Sequence, residues 1–520
     1  MELFKEYSYK KGAALAIGST FIWKILSFVN SILIAFYFGT KTNCDLYFYI
    51  VFIVGIIVSF FTALNANVLI PQAIYLKRTD EEKAKTFLNS FLLLYVFLLA
   101  IFMGICFIFP IDIFAFISNF SLAVLSQYTA LLRLAFIYFA GYILCSYILN
   151  IMYVYHIFSI NFLFPLNALL PMFFLIFLHN TLGLETMLIG FSASYFVQIF
   201  VCLFIMKKKL NWSFTSFHIS PEKRLKDNII TNQILIVINL LVSILPLYLM
   251  SNFAGGIISA LSYARQLTDS PKEILTLKIS NVYHIQLNEN ASARDFALLN
   301  ANYLKINYLL LFIMIPLALF TYYFAPDIIN LFFKRGKFNL ESSLNVVKFL
   351  RPLMLVLILT NLTPLANSLI AGTRKIKESF IYTFIYNIIS FMALYFFISA
   401  FGPFAYPYIL IICAVFSFFI MALFFKIHIP QINYWQPLKD ALSLVSLNIL
   451  ALIPAGYIGY LLRGQMEFVK IFFSGIVFLF VLTLLYIPTK QLKKVLSSSL
   501  GARYEAFLNK IPHKLQPFLK

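Results

Sequence analysis

The residues in this chain that could do chemistry are few, and most of them are cations. An otherwise apolar run over 256–286 carries Arg265, Asp269, Lys272, Glu273 and Lys278. At about 100° per residue, Arg265, Asp269, Lys272 and Thr276 share one face of a helix for roughly three turns. A further cation, Lys24, sits inside the apolar stretch STFIWKILSF. A charge at mid-bilayer costs about 2.5–3.5 kcal/mol on insertion scales, so such a face turns toward a bundle interior or a wet cavity. One reading of the stripe is a salt-bridge ladder, Arg265 to Asp269 and Lys272 to Asp269 or Glu273, that ties helices together. The other is a hydrated cavity of net positive potential, with Lys24, Arg265 and Lys272 as its cations. Asp45, Asn239, Asp269 and Thr276 would be its further polar lining. Such a cavity suits an anionic substrate, with phosphate or pyrophosphate foremost, because charge-assisted hydrogen bonds are strong where water is excluded. Asp45 has a second role open to it, as a helix N-cap before an apolar run. Asn232, Gln233, Asn239 and Ser243 fall largely on one face of the run before the stripe. Lys278 points elsewhere, and snorkelling accounts for it.

No bond-making set accompanies these residues. The chain has no nucleotide-binding glycine loop, no HExxH and no Cys/His metal set. Its six histidines are scattered, and its five cysteines lie apart, mostly within apolar runs. The expectation is a transporter and not an enzyme, without catalytic residues, metal or cofactor. Its transport would run downhill on the substrate, or on a coupling ion or the membrane potential.

The elements that must position these cations are membrane helices. Of 520 residues 62% are hydrophobic and only 12% charged, against about 45–50% apolar and about 25% charged in soluble domains. A bilayer core of about 30 Å needs about 20 apolar residues in a helix. Apolar runs between polar or Pro/Gly breaks give fourteen spans: 13–39, 46–70, 87–109, 126–154, 160–178, 182–206, 229–252, 256–286, 304–325, 345–371, 379–400, 403–425, 440–462 and 468–488. The fold class is therefore all-α and polytopic. The polar opening MELFKEYSYKKG precedes the first run without a small-residue cleavage site, so that run reads as a retained span.

The formal charge of +20 does not point to nucleic acid, because Lys and Arg collect in short connectors between spans. They cluster at 5–11, 77–85, 207–226, 374–377 and 490–520, whereas the opposite loops around 110–125, 179–183, 253–255 and 400–403 have none. The positive-inside tendency then puts both termini in the cytoplasm, with LFFKRGKF (331–338) as the exception outside. The basic, mildly amphipathic tail after Pro488 suits either an anionic membrane surface or water.

An internal echo organises the spans. NFSLAVLSQYTALLR (119–133) and KFNLESSLNVVKFLR (337–351) share Phe, Leu and a Leu-Arg ending at an offset of 218 residues. It implies a six-span lobe at 13–206, a basic linker at 207–228, a second six-span lobe at 229–425 and two additional spans within 440–488. A cytoplasmic N-terminus (1–12) and a basic tail (489–520) flank them. Pseudo-symmetric halves around a midplane site are a common transporter layout.

Four segments resemble the MurJ/MviN family of the MOP flippase superfamily, which also holds Wzx-type polysaccharide flippases and MATE exporters. They are STFIWKILSFVNSILIAFYFGTKTNCDLYF (19–48), GGIISALSYARQLTDSP (255–271), LFFKRGKF (331–338) and LANSLIAGTRKIKESFIYTFIYN (365–387). The resemblance implies a flippase for undecaprenyl-diphosphate-linked glycans in a bacterial cytoplasmic (inner) membrane, working by alternating access, with lipid II as cargo in the family proper. It also implies peptidoglycan biosynthesis as the setting and cell-envelope synthases as potential partners. Lys24 stands at the family's first arginine position, while Asn30 and Ser31 replace Arg and Asp. The second-span basic pair falls near Val58 and Ser59. Arg265 lies one place before the usual arginine, with Gln266 on it, and the family's Asp-Thr pair reads Gly372-Thr373 here. The departures reduce the cationic lining and leave the cargo open, with a Wzx-type O-antigen or capsule flippase as the alternative. A MATE-type cation antiporter would need acidic cavity residues, and the spans carry few.

Overall fold

A computed structural model describes residues 9–218, 223–253, 255–277, 287, 291, 295–362 and 364–500. Among them every regular element is helical. Twelve helices are long and apolar enough to cross a bilayer. The other two expected spans fall on α10, whose apolar part is Ile236–Met250, and on α11, a 15-residue helix that carries the charged stripe. The remainder of the eighth run, with Lys278, lies outside the described residues, as do 1–8 and the tail from 501.

The chain forms two compact units. The first, residues 1–262 with 394–403, contains α1 (Tyr9–Phe38), α2 (Thr42–Leu64), α3 (Ile70–Thr79), α4 (Glu81–Ile108), α5 (Pro110–Ile117), α6 (Leu122–Gln127), α7 (Thr129–Val154), α8 (Leu166–Leu182), α9 (Glu185–Lys209) and α10 (Lys223–Met250). It ends on the first turns of α11 (Ile257–Pro271). A π-helical turn, Asn65–Leu69, joins α2 to α3, so the second span is one long bent rod. α10 packs along α2 within this unit. The segment after α9 is tied down: buried Trp212 donates to Asn89 Oδ1 at 3.0 Å, and Asn89 donates to the Ser216 carbonyl at 2.7 Å.

The second unit comprises 263–393 and 404–520. It contains α12 (Phe296–Tyr323), α13 (Ala325–Phe333), α14 (Leu340–Thr360), α15 (Ala366–Gly372), most of α16 (Ile376–Phe401), α17 (Tyr406–His428), α18 (Gln436–Leu461), α19 (Glu467–Tyr486) and α20 (Gln491–Leu500). The last two spans pair with each other, and α18 also packs on α12.

The sequence echo has a structural counterpart. In each unit a 28-residue helix, α4 or α12, leads into a short helix opened by proline, Pro110 in α5 and Pro326 in α13. Each echo segment then opens with a capping side chain: Ser121 accepts from the Val124 amide, and Asn339 from the Ser342 amide. Proline fits a first helical turn because its missing N–H has no partner there anyway.

The outer surfaces are apolar. Phe200 is 72% exposed and Phe401 73%, which water would penalise at about 25 cal/mol per Å2 and lipid would not. Inside, polar side chains bond across helices, as where Asn167 Oδ1 accepts from Ser194 at 2.6 Å and from Gln198 at 2.7 Å. All five cysteines are buried.

Candidate functional site

The candidate polar residues fall into separate settings, and each is taken within its own unit. Asp45 is the most deeply placed carboxylate among the described residues, only 3% exposed. It lies in the first turn of α2 but does not cap it; that position is Lys41, whose side chain makes no cap bond. Its carboxylate instead receives the start of α11. The Gly256 amide donates at 2.6 Å, the Ser259 amide at 2.7 Å, and the Ser259 hydroxyl donates to Oδ1 as well. Asp45 thus caps a helix 211 residues downstream, where the unpaired amides and positive dipole end favour an anion.

Two glycines permit this approach. A Cβ on Gly255 would stand 2.5 Å from Thr42 Oγ1, and one on Gly256 3.0 Å from the Thr40 carbonyl. Gly256 also holds φ +100°, a conformation that side chains disfavour. Beside this latch the Asn119 amide donates to Ser251 Oγ at 2.7 Å and its side chain to the Tyr248 carbonyl at 3.1 Å. The loop at 118–121 is thereby bonded to the end of α10 in the first unit.

Lys24 lies in the same unit, half-buried in α1, with Nζ 4.6 Å from the centroid of the Trp23 ring. Where the family resemblance expects more basic residues, the side chains are neutral. Asn30 is buried and donates to the Ala168 carbonyl at 2.9 Å. Val58 is buried, and Ser59 bonds its own helix at the Ile56 carbonyl. Asn239 is exposed on α10, its carbonyl accepting from Ser243 at 2.8 Å. Gln233 is buried and reaches the Phe60 carbonyl at 3.5 Å. The Asn232 side chain is outside the described residues.

In the second unit Arg265 is half-buried and donates to the Tyr406 hydroxyl at the head of α17, its guanidinium 5.6 Å from that ring. The contact fixes the direction of a long side chain. Asp269, one turn on, is exposed and receives the Thr268 hydroxyl at 3.5 Å. Lys272 is half-buried.

The straight-helix projection of the stripe fails at its last member. α11 ends at Pro271, and Lys272–Leu277 wind as a π-helical turn, which advances less than 100° per residue. Thr276 is thereby buried and donates to Asn361 Oδ1 at 2.7 Å, while Asn361 donates to the Leu357 carbonyl. In this structure it joins α11 to α14 and is no open lining. The positioning partners Ser259, Tyr406 and the Gly255–Gly256 pair were not singled out from sequence. Gly-Gly before an apolar helix was the available signal for a close approach; Tyr406 had none.

Comparisons with known proteins agree with this architecture. The sequence model of the family described as lipid II flippase MurJ matches residues 34–479. A probable lipid II flippase MurJ from Borreliella burgdorferi is 23% identical over 496 residues, covering 92% of this chain and 96% of its own. A solved lipid II flippase MurJ in an inward closed conformation superposes with a TM-score of 0.75 at 18% identity, covering 91% of this chain and 99% of that one. An inward-facing MATE multidrug transporter of the MOP superfamily gives 0.64 at 15% identity, over 80% and 98% of the two chains.

Proposed function

The chain belongs to the lipid II flippase MurJ family, a family of transporters and not enzymes, and on that premise we propose that it translocates lipid II across the bacterial cytoplasmic membrane by alternating access. Lys24, Arg265 and Lys272 receive the diphosphate of the undecaprenyl-linked substrate. The observation that carries this assignment is Arg265, a guanidinium within an apolar helical protein that the Tyr406 hydroxyl orients at the head of α17. A guanidinium placed among membrane-spanning helices costs free energy, which an anionic substrate offsets. Charged hydrogen bonds of about 1.5–3 kcal/mol each make a few contacts sufficient for a diphosphate. Asp45 releases the start of α11 when the cycle opens that end, and both termini face the cytoplasm.

Expression in a bacterium depleted of its own lipid II flippase tests the proposal, with restored growth expected. A specific feature favours a second reading, a Wzx-type flippase for another undecaprenyl-diphosphate glycan. Val58 and Ser59 stand where second-span basic residues are expected from the family, and neither is charged. Failure of the well-expressed chain to restore growth, together with translocation of an O-antigen or capsule precursor in vesicles, would establish that reading instead.

A further inference from the structure

The second unit carries a basic site outside any transport path proposed above. After α19 the chain turns through Lys490, which holds φ 58°, and α20 folds back onto α12. Two open clefts meet there. One of about 510 Å3 is lined by Lys305, Tyr308, Asn433, Gln436, Asp440 and Lys494. Its neighbour of about 350 Å3 shares Asp440 and Lys494 and adds Ser443, Thr489, Lys490 and Lys493. Together the linings hold four lysines and one carboxylate.

That carboxylate is already engaged. Asp440 Oδ1 accepts from Lys494 at 2.7 Å and from Gln436 at 3.0 Å, and Lys494 Nζ lies 4.0 Å from the Tyr308 ring centroid. Tyr308 donates to Gln491 Oε1, and Gln491 donates to Ser443 at 3.1 Å. The cleft floor is therefore a fixed framework, and Lys305, Lys490 and Lys493 give its opening a net positive charge. Lys490 adds a sign of constraint, because a non-glycine residue at positive φ is held there at some cost.

The level of the site identifies its ligand. Lys305 and Asp440 sit where the apolar stretches of α12 and α18 begin, and Thr489 just beyond the end of α19. Trp435, exposed at the same turn, suits an interfacial aromatic. Along α18 and α19 the surface next to it is apolar, with Leu442, Ile449 and Leu484 all more than half exposed. A phosphate at the lysines with acyl chains along that surface satisfies both halves, and basic pockets between spans bind acidic headgroups in this way. The geometry points to a binding site for the phosphodiester of an anionic phospholipid at the α12–α18–α20 junction. It stands whether or not the chain moves lipid II.

The test is native mass spectrometry of the full chain in neutral detergent with phosphatidylglycerol, phosphatidylcholine or inorganic phosphate. The wild type retains phosphatidylglycerol in preference to phosphatidylcholine. The Lys490→Gly/Lys493→Gln variant loses that preference by about fivefold for each lysine removed; glycine at 490 relieves the backbone constraint, so folding is preserved. Asp440→Asn, which removes the competing carboxylate, strengthens phosphatidylglycerol retention, the reverse of what a purely structural ion pair would give. Equal retention of the two lipids, a double variant that binds as wild type, or displacement of phosphatidylglycerol by millimolar phosphate would overturn the proposal.

Discussion

Asp45 and Asp269 are carboxylates associated with opposite ends of the same helix, α11, and they live differently. Asp45 is buried and takes two backbone amides and a hydroxyl. Asp269 is exposed on a face that also holds Arg265 and Lys272. In a bilayer a polar group that finds all its partners inside the protein reads as structure or as a latch. One exposed beside an oriented guanidinium reads as a place for a ligand. The contrast separates residues that sequence alone places in one class, since all are polar residues in apolar runs.

The comparison breaks most visibly at Asp45. Asp45→Ala leaves three donors at the start of α11 without their acceptor, which costs about 3 kcal/mol or more at 1–3 kcal/mol per unsatisfied buried group. A large fall in melting temperature of the detergent-purified protein is the expected result, with Asp45→Asn milder because one carbonyl oxygen remains. Gly256→Ala should cost about 1–3 kcal/mol from its positive φ and the Thr40 contact. Unchanged melting in all three would mean that the latch is not closed in solution.

Tyr406→Phe sharpens the other side. It removes the oxygen that orients Arg265 and should lower translocation about three- to tenfold, near 1 kcal/mol for one hydrogen bond, with little change in melting. Thr276→Val should do the opposite, lowering stability by about 1 kcal/mol through Asn361 and leaving the transport rate intact. The smallest effect lies outside the spans. Asp80 caps α4, and the Lys83 amide, foremost among its partners, holds its carboxyl below the usual value. Its contribution is present above the ordinary carboxylate range and fades as pH falls through the depressed value. Asp80→Asn should flatten that acid limb of a melting-versus-pH curve.

Much of the fold was legible from hydropathy because the bilayer imposes length and apolarity on each span separately. The seventh and eighth elements were harder to place: α10 is apolar only over Ile236–Met250, and α11 carries the charges. The site was legible only in part. Arg265 stood out because a guanidinium in an apolar run is conspicuous, but its partner Tyr406 is 141 residues away and one of 31 tyrosines. Asp45 was visible, yet its role depends on amides 211 and 214 residues distant. Thr276 bonds Asn361 in the structure, and a constant 100° step does not anticipate the π-helical turn after Pro271 that carries it. Local pattern shows which residues are anomalous; long-range pairing decides what each anomaly does.

The central claim is that Lys24 and Arg265 serve the diphosphate and not the fold. Its most direct measurement is lipid II translocation by the purified chain in proteoliposomes, wild type against Lys24→Ala/Arg265→Ala. Wild-type translocation, with a loss of about 100-fold or more in a double variant of unchanged melting temperature, is the predicted result, given two charged contacts of about 1.5–3 kcal/mol each. A double variant that flips lipid II at the wild-type rate would contradict it.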